Sequence, residues 1–261
     1  MMRRLFSASL ATLALAAPAF AADLPARTYT KAAAMAPTPG YDWSGFYVGL
    51  NGGGGSSRNC WSVTNNVGIP VNPAVAEGCH NATGGTAGGQ LGYRWQASSW
   101  VFGVEAQGNW SNFKGSNANP FAFNLLSDQT KVNAFGLFTG QVGYAVNNVL
   151  FYAKGGAALT SDKYSNFPNV ALGVPAGQIF AQGSETRWGS VAGAGIEFGF
   201  APNWSVAAEY DHLFMGTKSV TVNLIPPLGP GLSGIHNISQ DVDIGTVRVN
   251  YRFGGPVVAK Y

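Results

Sequence analysis

From residue 43 onward the chain alternates between apolar and polar positions. Phe46, Val48 and Leu50 share one face of a segment whose other face carries Tyr47, Gly49 and Asn51. A period of two is the signature of a strand buried or greased on one side only. The same pattern predicts strands over residues 43–53, 86–96, 99–110, 130–146, 149–161, 185–200, 203–215 and 240–253. Trp100, Phe102 and Val104 oppose Gly103 and Glu105; Trp204, Val206, Ala208 and Tyr210 oppose Ser205, Glu209 and Asp211. In the fourth strand Val132, Ala134, Phe138, Val142 and Tyr144 are read as one face, with Phe135 and Leu137 out of step at its start.

The connections sort by length. Those at 97–98, 147–148 and 201–202 are short, whereas 54–85, 111–129, 162–184 and 216–239 are long. In an antiparallel meander successive connections fall at opposite ends, so tight turns gather at one end and long loops at the other, as in outer-membrane barrels. An open sheet edge in hydrocarbon would leave a row of bare backbone groups, so the sheet must close. The expected fold is all-β: an eight-stranded antiparallel up-and-down transmembrane β-barrel. Its long loops are expected outside the cell, and both mature termini in the periplasm.

Composition sharpens this. Only 10 % of residues are charged, against about 25 % in an average soluble domain. After the first segment no apolar run reaches the ~18 residues of a spanning helix. That segment carries Arg3 and Arg4, an apolar stretch, and Ala19-Phe20-Ala21, the layout of a signal peptide over 1–22. Residues 23–42 read as a flexible N-terminal periplasmic segment, and 43–261 as the barrel. Residues 1–22 hold two arginines and no acid, so the formal charge of +3 falls to +1 without them. That leaves no basic footprint for nucleic acid.

The two faces suggest chemistry. Trp43, Trp95, Trp100, Trp188 and Trp204 fall near strand ends on the apolar side, as interfacial aromatics do. Arg94, Glu105, Lys154, Arg187, Glu197, Glu209, Arg248 and Arg252 lie on the other side, the lumen. Buried charges require partners, so a polar network is expected there, with Glu209 pairing to Arg248 and Glu105 to Arg94 on adjacent strands. An eight-stranded barrel is just wide enough for side chains to fill, leaving at most a narrow wet path. Cys60 and Cys79 are a candidate disulfide in an oxidising compartment. Gly52-Gly53-Gly54-Gly55 lacks the Lys of a phosphate loop, and no nucleophile elbow or metal-ligand spacing occurs. No catalytic, cofactor or metal site is predicted.

Several segments carry a resemblance. Ala22-Asp23-Leu24-Pro25, Asp42-Trp43-Ser44-Gly45-Phe46-Tyr47-Val48-Gly49-Leu50-Asn51-Gly52-Gly53 and Val247-Arg248-Val249-Asn250-Tyr251-Arg252-Phe253 resemble the porin-like outer-membrane β-barrel proteins of alphaproteobacteria. These are small surface proteins typified by the major rhizobial and brucella surface antigens. The resemblance covers residues 42–261. It implies a non-catalytic barrel that supports envelope integrity, bears surface antigens, and meets outer-membrane lipid, lipopolysaccharide, the assembly machinery and, through its periplasmic ends, peptidoglycan. Either Phe253 or Tyr261 could be the terminal aromatic that the assembly machinery reads. Two rival readings stay open: a narrow channel for small solutes, and a secreted lipocalin-like ligand carrier, whose faces would be reversed.

Overall fold

The computed structural model describes residues 41–254. The predicted signal peptide, most of the N-terminal segment and Tyr261 lie outside the described residues. Among the described residues the chain forms eight strands: β1 (Gly45–Asn66), β2 (Ile69–Ala97), β3 (Trp100–Ala118), β4 (Leu126–Val146), β5 (Val149–Pro168), β6 (Ala181–Ala201), β7 (Trp204–Leu224) and β8 (Gly231–Phe253). Each pairs antiparallel with its neighbour in sequence, and β1 pairs with β8, so the barrel is closed. Register partners traced from Val48 through Leu91, Ala106, Phe138, Ala157, Ser190, Phe214 and Asp241 return to β1 at Arg58, ten residues further along. That stagger tilts the strands by ~40° and gives a rise of ~2.5 Å per residue along the axis.

One end holds the two-residue turns 98–99, 147–148 and 202–203. The positive φ of Ser98 and Asn147 belongs to these tight reversals. The other end holds connections of unequal length at 67–68, 119–125, 169–180 and 225–230. The sorting of turns matches the expectation, but the lengths differ. Most residues expected in long loops instead continue the strands, and β1 and β2 meet in a tight turn at Val67-Gly68. The strands run 19–29 residues, about twice the 9–11 needed to cross a bilayer. The barrel therefore has a lower section near the turns and an upper section of similar height.

The two sections have opposite faces. Below, the outward residues are Phe46, Val48, Leu50, Phe102, Val104, Phe151, Ile196, Val247 and Val249, all well exposed. Above, Arg58, Lys114, Lys131, Lys163 and Thr186 point outward, and apolar side chains enter the interior beside buried polar groups such as Asp162, Arg187 and Gln240. Ala82, Phe113, Val132, Phe135, Leu137, Val191, Leu213 and Ile244 form one buried layer. Trp61, Tyr164, Val220, Val222 and Ile238 form another above it. A bulge between Val132 and Ala134 resolves the fourth strand. It shifts the phase by one residue, so Val132 turns inward together with Phe135 and Leu137, not outward with Phe138.

Candidate functional site

The lower lumen gathers six of the eight predicted charges. Arg248 forms charge-assisted hydrogen bonds to both Glu105 and Glu209. Lys154 Nζ lies 2.6 Å from Glu209 Oε1, 3.1 Å from Asp211 Oδ2 and 3.8 Å from Glu105 Oε1. Tyr47 and Tyr152 each donate a 2.7 Å hydrogen bond, to Glu105 and Glu209 respectively. Arg94 Nη1 lies 2.8 Å from Glu197 Oε2. Its guanidinium sits 4.5 Å from the Tyr47 ring centroid and 5.5 Å from that of Tyr152. Glu197 also accepts from Ser205 and from Asn250. Asn250 continues a line of amides through Gln90 and Asn51 to Asn109.

Small residues make room for these large groups. A Cβ on Gly92 would meet the Tyr47 hydroxyl at 2.5 Å, and one on Gly195 the Tyr152 hydroxyl at 2.5 Å. Glycine opposite a bulky inward side chain is thus how this narrow lumen fits two tyrosines at the height of its ion pairs.

The expected pairing of Glu105 with Arg94 is not made. Arg94 reaches across the barrel to Glu197 on β6, and Glu105 takes Arg248 and Lys154. In a lumen this narrow the opposite wall is as near as the adjacent strand, so partners are chosen by height and not by sequence order. Glu209 and Arg248 do meet. Arg252 lies lower, bonded to the carbonyls of Ser44, Pro202 and Gly254, with Asp42 3.7 Å away. Arg187 stands apart in the upper section. It donates to Gln240 and to the Ile238 carbonyl and has no carboxylate within ion-pair distance among the described residues.

Trp43 requires correction. It is only 2 % exposed and faces inward. Its odd position shares parity with Tyr47 and Asn51, so the entering chain turns the ring into the lumen. There it packs with Val101, Ala145, Leu150 and Tyr152, and with Tyr41 at 4.4 Å, closing the turn end. Trp95, Trp100, Trp188 and Trp204 point outward, as does Trp110, 78 % exposed, which was not among the predicted interfacial rings. Cys60 and Cys79 are register partners on β1 and β2 and form a disulfide with an S–S distance of 2.02 Å.

The upper end holds groups absent from the sequence prediction. Glu77 Oε2 lies 2.6 Å from His236 Nδ1, and its Oε1 accepts from Asn119. Asp128, fully buried, accepts a 2.6 Å hydrogen bond from Asn166. Burial, with Glu77 adding to it, pushes the Asp128 carboxyl up to about 7. No period in the sequence marks these residues, which four different strands and one connection bring together.

A closed antiparallel barrel with an apolar belt outside and ion pairs inside defines an outer-membrane β-barrel protein. The chain belongs to the outer membrane protein beta-barrel domain family, whose profile matches residues 7–253. It is 29 % identical over 261 residues to the 31 kDa outer-membrane immunogenic protein of Brucella melitensis, covering 97 % of this chain and all of that one. It is 28 % identical over 228 residues to the 25 kDa outer-membrane immunogenic protein of Brucella ovis, covering 87 % and 97 %. Among solved structures it is similar to Ail, the attachment invasion locus protein of Yersinia pestis (TM-score 0.39, 17 % identity, 80 % of this chain and 99 % of that one). The protein is a structural, surface-exposed outer-membrane barrel. The lipocalin-like reading falls with the faces, because the charges lie inside and the apolar belt outside.

Proposed function

We propose that the lower section is the membrane-embedded part, with its turns in the periplasm, and that the upper section stands outside the cell as a rigid, antigen-bearing column. The reversal of faces along each strand carries this reading. An outward apolar belt of about ten residues matches the ~25 Å band of outer-membrane barrels, and above it the outer wall becomes polar. Trp95, Trp100 and Trp204 mark the lower rim of the belt, and Trp110 and Trp188 the upper.

Three lysines support the orientation. Lys114 faces Lys131, and Lys131 faces Lys163, across adjacent strands. All three are exposed, and none has an acidic partner among the described residues. Like charges side by side are unfavourable unless an anion lies between them. They stand ~10 Å above Trp110, where the phosphates of lipopolysaccharide would meet the barrel wall. The apolar layers across the upper lumen argue for a scaffold over an open channel.

An epitope tag tests the orientation. Placed at Gly173 in the β5–β6 connection, it should bind antibody on intact cells; placed between Asn147 and Asn148, it should bind only after the outer membrane is opened. The reverse result overturns the assignment. Changing Lys114, Lys131 and Lys163 together to Gln should cut lipopolysaccharide retained through purification, read by native mass spectrometry.

A further inference from the structure

We propose that the cavity at the loop end of the barrel is a binding site for a small organic cation, an amine carrying an apolar body. The cavity measures about 660 Å³, within the range of small-molecule sites. Phe121, Phe123, Leu172 and Phe180 supply its walls, and Glu77, Asn166 and His236 its floor. The walls come from two connections and the floor from three strands, so the cavity is a product of the closed upper section.

The hydrogen-bond inventory of the floor selects the guest. Asn119 spends an amide donor on Glu77, and Asn166 spends one on Asp128. Asn166 Oδ1 and Asp128 Oδ2 are left buried without a partner. Glu77 is the one carboxylate in the lining, beside the imidazole of His236, and no lysine or arginine lines the cavity. The floor therefore has a bare acceptor in Asn166 Oδ1, a carboxylate in Glu77, and no lysine or arginine to receive an anion. A carboxylate or phosphate guest would be repelled. A purely apolar guest would leave the Asn166 carbonyl bare, at a cost. An ammonium brings donors and positive charge, while the aromatic walls take its apolar body and also favour a cation.

The test is calorimetry on the full-length barrel in lipid nanodiscs with 2-phenylethylammonium, 2-phenylethanol and 3-phenylpropionate. The ammonium should bind once per barrel and at least about tenfold more tightly than the alcohol or the carboxylate, the margin of one charge-assisted hydrogen bond. Glu77→Gln should weaken the ammonium by about tenfold or more while leaving the alcohol unchanged. Leu172→Lys, in an exposed connection that does not support the barrel, should abolish ammonium binding and admit the carboxylate. No ammonium binding up to about 10 mM, equal affinity for the three probes, or an ammonium affinity unmoved by Leu172→Lys overturns the proposal.

Discussion

The lower and upper sections of this barrel are built from the same eight strands with the same pairing, yet they are stabilised in opposite ways. On the placement proposed above, hydrocarbon around the lower section gives no hydrophobic reward for burying apolar groups inward, so the lumen is free to hold Arg94, Lys154, Arg248, Glu105, Glu197 and Glu209 as a bonded cluster. Higher up, where that placement puts water outside, the hydrophobic effect returns, and Phe113, Trp61 and Ile238 enter the same lumen beside polar groups such as Arg187. On that placement the surrounding solvent, and not the strand pairing, decides where apolar side chains point.

The comparison can be broken most forcefully at Arg248. Arg248→Ala leaves Glu105 and Glu209 short of their shared partner in a sealed lumen, and should cost about 3–5 kcal/mol in urea unfolding from lipid vesicles. An unchanged midpoint would mean the cluster is not the keystone of the lower section. Next comes the outer wall. Val104→Arg, in the apolar belt, should cost about 2–4 kcal/mol, whereas Thr186→Arg, outward on the upper section, should stay within about 0.5 kcal/mol. Equal costs would erase the boundary between sections.

Reducing the Cys60–Cys79 bridge should destabilise by up to about 3 kcal/mol. The effect should appear as faster hydrogen exchange in the upper parts of β1 and β2, with the lower section unmoved. The smallest effect has a definite sign. The raised Asp128 carboxyl keeps its proton in the folded state between about pH 4 and pH 7, where the unfolded chain has released it. Stability from this group is therefore full in acid and is lost as pH rises towards 7. Between pH 5 and pH 6 the wild type should lose about 1 kcal/mol relative to Asp128→Asn; a difference of the opposite sign would refute the assignment.

The same physics explains what could be read in advance. Lipid-facing rows such as Phe46, Val48 and Leu50 announce themselves because hydrocarbon tolerates nothing polar there, and strand number and closure follow from them. Trp43 was misread as an outward ring, although its parity with Tyr47 places it inside. The upper strands were hidden. Trp61 and Val63 alternate with Ser62 and Thr64, but glycine, asparagine and proline surround them, and the apolar side has changed from outward to inward. Cross-lumen partners such as Arg94 and Glu197 depend on the heights of distant strands, which the ten-residue stagger sets and no local spacing reveals. The Glu77, Asp128 and His236 group had no signal, because each residue stands alone in its own segment.

The pairing of β1 with β8 governs the order of assembly. The seam joins Phe46 to Phe253, so the first strand made must wait for the last one before its outer edge is covered. Until residue 253 arrives, every partial sheet presents two raw flanks, and a chain cut short of it would have no way to seal. Such delayed, long-distance closure is intrinsically slow.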